Sequence, residues 1–226
     1  MVEHDTLAPW PDSVQVLETE YRLVTVDLTI ADRRLELLKV ANIDDLLDRV
    51  DDPDEIPFWA DLWPSSIGLA RYLLQHRNLI AGKTLLELGA GVGLAGIAAK
   101  LAGARVVQSD FSPEALKFTA ANCIRNRVAV GAQLLADWRQ FPAEAGPFDL
   151  IIGADILYEK TLHGALRQIF LERLQPDGAV WLADPGRDYA RKFMEEWPEP
   201  QGVSKALIPV EYERKQFSID LYRLSR

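Results

Sequence analysis

An apolar run that ends in a string of glycines constrains this chain more than any other feature. Leu85, Leu86, Glu87 and Leu88 read as a short buried strand, and Gly89-Ala90-Gly91-Val92-Gly93 follows at once, opening an Ala-rich helical stretch over 92–101. Glycine lets the backbone turn sharply and lets a ligand lie close against it. The ligand then faces a helix N-terminus, whose first N–H groups have no partner inside the helix. A second strand, 105–109, leads directly into Asp110. A carboxylate at that point can accept both hydroxyls of a ribose, as in nucleotide-binding α/β sheets. A lone glycine pattern would mean no more than packing. Strand, glycines, helix, strand and acid in that order point to a bound nucleoside.

The same alternation governs most of the 226 residues. Residues 65–76 read as a helix, with Ile67, Leu69, Ala70, Tyr72, Leu73 and Leu74 on its apolar side. Ser112 and Pro113 fit the N-cap and first position of another helix. Strands follow at 133–136 and 148–154, then an amphipathic helix over 162–174 that stops at a Gln175-Pro176-Asp177-Gly178 turn. A strand at 179–183 and a helix over 187–197 come next. The segments 203–210 and 216–224 form a last strand pair with no helix between them. Alternating strands and helices imply a parallel sheet with right-handed crossovers. The final pair implies an antiparallel insertion at one edge.

Before residue 56 the pattern differs. Strands are expected at 14–17, 21–30 and 34–40, with Ala31-Asp32 as a turn. Asn42 can cap a short helix running to Val50, and the charged stretch 51–55 reads as a linker. The expected division is therefore an N-terminal extension, 1–55, and a main domain, 56–226.

Three further segments carry chemistry. Residues 57–66 hold Trp59 and Trp63, each near a proline. Trp63 is expected to staple the extension to the sheet, whereas Trp59 offers an aromatic face that attracts a cation. Asp137-Trp138 follows the third strand, where a base would lie: the ring can stack on it and the carboxylate can accept from an exocyclic amine. The strand 148–154 ends in Gly153-Ala154-Asp155, small residues that admit a ligand, with Asp155 and Tyr158 three apart and able to share a face. The plain alternatives are an Asp155 helix cap and a Tyr158 packed in the core.

Two cofactors suit the glycine loop. The frame from Gly91 to Gly96 fits the dinucleotide pattern. The frame Glu87, Gly89, Gly91, Gly93 resembles the S-adenosylmethionine loop of seven-β-strand methyltransferases. Gly89 is the first residue after the strand, so the dinucleotide frame starts late. Glu87 would place a carboxylate near the methionine amino group, directly or through water, and would repel a pyrophosphate. No second domain remains for a dehydrogenase substrate.

With Trp59 to Pro64, the Glu87-Leu88-Gly89-Ala90-Gly91 loop and the D-x-x-Y run from Asp155 to Tyr158, the chain resembles the class I seven-β-strand protein lysine methyltransferases, methyltransferase family 16. Residues 71–74 and Asp184-Pro185-Gly186-Arg187 are more similar to the branch that methylates the electron-transfer flavoprotein β-subunit. The resemblance covers about residues 56–190. It implies a Rossmann-like seven-stranded α/β sheet with helices on both faces and its last strand antiparallel, beside an N-terminal β-hairpin/helix extension. Cofactor contacts are then assigned to Trp59, Glu87, Gly89, Ala90, Gly91, Gly93, Asp110, Phe111, Asp137, Trp138 and Ala154. Asp155 and Tyr158 are assigned to the incoming amine, Asp155 to grip an ammonium and Tyr158 to hydrogen-bond it. Arg187 could pair with an acidic substrate group.

Composition decides among partners. The formal net charge is −9, which disfavours a nucleic-acid partner. No apolar run reaches the length of a membrane span. The N-terminus has acids where a signal peptide would carry Lys or Arg. A cytoplasmic monomer acting on a protein is the expectation, with the electron-transfer flavoprotein β-subunit as first candidate. The single cysteine, Cys123, excludes an internal disulfide, and His4, His76 and His163 have no ligand spacing, so no metal is expected. A small-molecule N-methyltransferase with the extension as lid, an NAD-dependent oxidoreductase and a non-catalytic cofactor-binding regulator are the alternatives.

Overall fold

The fold is known from a computed structural model, which describes residues 11–47, 56–198 and 202–225. From the N-terminus the elements are α1 (Pro11–Glu20), β1 (Leu23–Ile30), β2 (Arg33–Val40) and α2 (Asp44–Leu47). Then come α3 (Pro64–Gln75), α4 (Arg77–Ile80), β3 (Thr84–Leu88), α5 (Leu94–Leu101), β4 (Arg105–Asp110), α6 (Pro113–Arg125) and β5 (Ala132–Leu135). β6 (Phe148–Ala154), α7 (His163–Arg173), β7 (Leu174–Asp184), α8 (Asp188–Glu195), β8 (Val203–Tyr212) and β9 (Lys215–Ser225) complete the chain.

The main sheet has seven strands in the order β5-β4-β3-β6-β7-β9-β8. β3, β4, β5, β6 and β7 pair in parallel, and β9 runs antiparallel to both of its neighbours. This is the Rossmann-like arrangement expected, with β9 as the reversed strand. A tight turn through Glu213 and Arg214, at φ 50° and 62°, joins β8 to β9. Positive φ at both positions matches the twist of a two-residue hairpin.

The central strands are buried on both faces, which is why they read as nearly continuous apolar runs. Leu85, Leu150 and Ile152 face one core, packed with Leu69, Leu73 and Ile97 of α3 and α5. Leu86, Leu88 and Ile151 face the other, with Phe170 and Phe193 of α7 and α8. Gly96 lets α5 approach the sheet: a Cβ there would overlap Glu87 Oε2 and Gln108 Nε2.

Between α1 and α2, β1 and β2 form an antiparallel hairpin fastened to α6. Asn122 of α6 and Asn126, which caps its C-terminus, act as a substitute strand for β2. Leu38 N donates to Asn122 Oδ1 at 2.7 Å and Glu36 N to Asn126 Oδ1 at 3.0 Å, while the two amide groups donate back to Leu38 O and Glu36 O. Asn122 also donates to Val92 O at 2.8 Å, which ties the hairpin to the glycine loop. Leu17, Leu38, Ala60 and Phe118 form a third core beneath this contact.

Two expectations are corrected. Residues 14–17 are helical, inside α1, because Pro11 opens a helix and a four-residue stretch with three apolar residues cannot by itself separate helix from strand. Residues 175–178 form an excursion within β7, where the register jumps from Phe148–Leu174 to Leu150–Ala179. The helix expected from Asn42 is seen over Asp44–Leu47, with Asn42 Oδ1 accepting from Asp44 N. Its continuation and the 51–55 linker lie outside the described residues.

Candidate active site

A cleft of about 290 Å³ opens at the carboxyl ends of β3, β4 and β6, with residues 56–63 as its far wall. This is the crevice where open α/β sheets bind ligands.

The glycine loop forms the floor. Gly89 and Gly91 line the cleft at φ +65° and +53°, the left-handed region that favours glycine. A Cβ on Gly89 would lie 3.0 Å from Ile156 Cγ2 and 3.3 Å from the Trp138 ring. Asp110 follows at the end of β4, 8% exposed. Its Oδ2 accepts from Gly91 N at 2.9 Å and its Oδ1 from Ser112 N at 3.0 Å. One carboxylate therefore fastens the glycine loop to the start of α6. Burial pushes its pKa above the ordinary carboxylate value, against the pull of these amide bonds. Phe111, next along, lines the cleft and is largely exposed.

Asp137 and Trp138 close one end. Asp137 caps the short helical turn Trp138–Gln140 and accepts from Arg139 N at 2.9 Å and from Arg139 Nε at 3.1 Å. Desolvation opposes its charge, but the Arg139 bonds win and hold its carboxyl below the ordinary value. The Trp138 Nε1 donor is buried without a hydrogen-bond partner among the described residues.

The other end is acidic and aromatic. β6 delivers Ala154 and then Asp155, which is held at φ +62° while its N donates to Ala183 O at 2.8 Å. Asp155 thus sits in a tight left-handed turn and caps no helix. Its Oδ1 is ion-paired with Arg187, and its Oδ2 accepts from Ser65 Oγ at 3.4 Å. Burial raises the Asp155 pKa, with the Arg187 charge working against that rise. Tyr158 packs edge-on to Phe58 at 5.6 Å, and Phe58 to Trp63 at 6.1 Å. Trp59 lines the cleft with its other side on Phe118, 5.6 Å between ring centres.

The cleft therefore brings together Trp59, Gly89, Gly91, Asp110, Phe111, Asp137, Trp138, Ala154, Asp155 and Tyr158. Three assigned residues lie behind it. Glu87 is 3% exposed and points from β3 towards α5, where it accepts from Gly96 N at 2.8 Å and Gln108 Nε2 at 2.7 Å. It shares the Leu85 side of the strand, so its carboxylate packs against a helix and is not among the residues that line the cleft. Ala90 donates its N–H to Ser109 O. Gly93, at φ +89°, starts α5, and a Cβ there would press on Thr119. Trp63, expected only to staple, is a cleft residue, with Nε1 donating to Phe58 O at 2.8 Å. Phe58, Ser112, Ile156 and Arg187 were not foreseen as lining; only Arg187, in the Asp184-Pro185-Gly186-Arg187 run, carried a sequence signal.

Residues 55–198 match the sequence profile described as lysine methyltransferase. The electron transfer flavoprotein beta subunit lysine methyltransferase of Danio rerio is 38% identical over 133 residues, which are 58% of this chain and 51% of the relative. The chain thus spans about half the length of that relative. The histone-arginine methyltransferase METTL23 of Xenopus laevis is 33% identical over 162 residues, covering 67% of this chain and 69% of the relative. Among solved structures, the 16S rRNA N2 G1207 methyltransferase of T. Thermophilus, in complex with AdoMet and guanosine, superposes with a TM-score of 0.62 at 16% identity. That superposition covers 90% of this chain and 50% of the other and speaks for the fold.

Proposed function

Because the chain belongs to the lysine methyltransferase family, we propose that it methylates the ε-nitrogen of a lysine in a protein, with S-adenosylmethionine as donor. The electron-transfer flavoprotein β-subunit is the first acceptor to test, on the strength of the relatives that carry that name. The observation that carries the reading is one continuous cleft, with a glycine floor and a buried ribose-type carboxylate at one end and Asp155 with Tyr158 at the other.

The residues present suit that cofactor. Gly89 and Gly91 leave a cradle that side chains would fill, and the buried Trp138 Nε1 still lacks a partner among the described residues. Asp110 would receive the ribose hydroxyls, Trp138 and Asp137 the adenine, and the Gly89–Gly91 backbone the amino-acid part. When bound, S-adenosylmethionine supplies a methyl group on a cationic sulfur, a donor that needs no further activation. Glu87 faces α5 and sets up no charge repulsion in the cleft; the lysine methyltransferase family match is what favours S-adenosylmethionine over NAD.

The protein's own task is alignment and desolvation. A lysine of pKa about 10.4 must lose its proton first, which costs roughly 5 kcal/mol at pH 7. Asp155 stabilises an ammonium, so it grips and orients the side chain and does not deprotonate it. The Phe58, Trp63 and Tyr158 wall removes water from the amine and favours the neutral form. The proton leaves to solvent through the cleft mouth, and the Tyr158 hydroxyl oxygen accepts from an amine N–H, which leaves the lone pair free to face the donor.

The test is to incubate the purified chain with radiolabelled S-adenosylmethionine and either the electron-transfer flavoprotein β-subunit or a lysate. Label on a protein lysine supports the reading. Label only on a metabolite would promote the small-molecule alternative, and label on arginine would move the chain towards its METTL23-like relatives.

A further inference from the structure

The Asp155 carboxylate does not stand alone at the acceptor end of the cleft. Arg187 NH1 contacts Asp155 Oδ1 and lies 3.3 Å from Asp184 Oδ2, so one guanidinium is shared by two carboxylates. Asp184 is fixed first: it ends β7, its side chain is 1% exposed, and its Oδ1 accepts from Gly186 N at 2.8 Å and Arg187 N at 2.7 Å. The turn these bonds shape carries Arg187 back over the cleft, where its side chain is 33% exposed. Arg187 is also the N-cap position of α8 but makes no side-chain cap bond, so the helix needs its backbone only. Two nearby cations have carboxylate partners of their own, Arg191 pairing with Asp188. Lys205 pairs with Asp220 at 3.1 Å, and Tyr222 donates to the same carboxylate.

Two acids thus share one guanidinium, a surplus of one negative charge within a cluster whose Asp155 and Arg187 line the cleft. The expectation that Arg187 awaits an acidic substrate group does not fit, because its charge is already taken by two carboxylates. On the reading that the acceptor is a lysine, we propose that Arg187 is the positioning residue of the acceptor site: it holds Asp155 turned towards the cleft, and Asp184 anchors it there. Ser65 from the first turn of α3 steadies the other Asp155 oxygen. A half-exposed guanidinium beside a buried carboxylate gives directional bonds that a point charge does not. Fixing the ammonium's seat this way sets the angle at which the amine meets its donor, so the loss on removing Arg187 falls on kcat.

The test compares Arg187→Gln and Arg187→Lys with the wild type. It reads kcat and KM for the protein acceptor, S-adenosylhomocysteine affinity by calorimetry, and melting temperature. Arg187→Gln should lose roughly tenfold or more in kcat with S-adenosylhomocysteine affinity within about twofold, because only alignment of the acceptor suffers. Arg187→Lys should recover part of that loss, since it restores the charge on a shorter side chain without the guanidinium's fixed geometry. An active wild type with an equally active Arg187→Gln overturns the inference and leaves the lysine reading standing. So does a loss that follows melting temperature and cofactor affinity together, with lysine no better than glutamine. A wild type that moves no methyl group to any protein sinks both.

Discussion

Replacing Asp155 by asparagine separates chemistry from architecture. The residue sits at φ +62°, a region that asparagine and aspartate tolerate better than other side chains. Asparagine keeps the shape, one acceptor oxygen and the backbone bond from Asp155 N to Ala183 O. Arg187 would lose one carboxylate but retain Asp184, so no buried cation is stranded. Stability should therefore change by less than about 1 kcal/mol. What disappears is the charge that grips an ammonium. A hydrogen bond to a charged group is worth about 1.5–3 kcal/mol, or roughly ten- to a hundred-fold in kcat/KM when it acts in the transition state. Asp155→Ala loses the same charge and adds the left-handed penalty of about 1–2 kcal/mol, so it should also melt earlier. The assay is methyl transfer per folded molecule, with calorimetric S-adenosylhomocysteine affinity and thermal melting alongside. An Asp155→Asn protein that melts early yet methylates normally would refute the reasoning and leave Asp155 a turn residue.

Other perturbations probe the rest of the molecule. Asp110→Ala should weaken S-adenosylhomocysteine binding about tenfold or more, because it frees the Gly91 and Ser112 amides as well as the ribose seat; calorimetry with an NAD control reads this, and normal binding would break the assignment. Gly96→Ala should destabilise by roughly 1–3 kcal/mol in denaturant melts, since its Cβ would overlap the Glu87–Gln108 pair; an unchanged midpoint would contradict the packing described. Glu87, raised by burial to about 7, favours its protonated form in the folded state. Its contribution to stability is therefore present at low pH and lost as pH rises from about 4.5 through about 7, and Glu87→Gln should flatten that slope in melting curves, an equal slope counting against it.

What the sequence discloses depends on how local the signal is. The glycine loop, its strand and Asp110 are legible because each rests on neighbours in the chain. Glu87 is not, because β3 is buried on both faces and its flanking leucines give no polarity to say which side a given residue takes. Gly96, nine residues on, carried the missing signal: its lack of a side chain opens the space that Glu87 occupies. The aromatic wall of Phe58, Trp63 and Tyr158 forms across about a hundred residues of chain, so no spacing rule reveals it. The Asp155–Arg187 pair joins the ends of two adjacent strands, β6 and β7, and depends on the register between them. Residues 14–17 misled because Val14, Val16 and Leu17 around Gln15 are too short a pattern to fix either period.

The most direct test of the account is to locate the transferred methyl group. The purified chain is incubated with isotope-labelled S-adenosylmethionine and the electron-transfer flavoprotein β-subunit, with a cell lysate in parallel, and labelled products are digested and sequenced by mass spectrometry. The account predicts methylation at a lysine ε-nitrogen of a protein, greatly reduced in Asp155→Asn. Label confined to small molecules, or no transfer from a protein that binds S-adenosylhomocysteine, would contradict it.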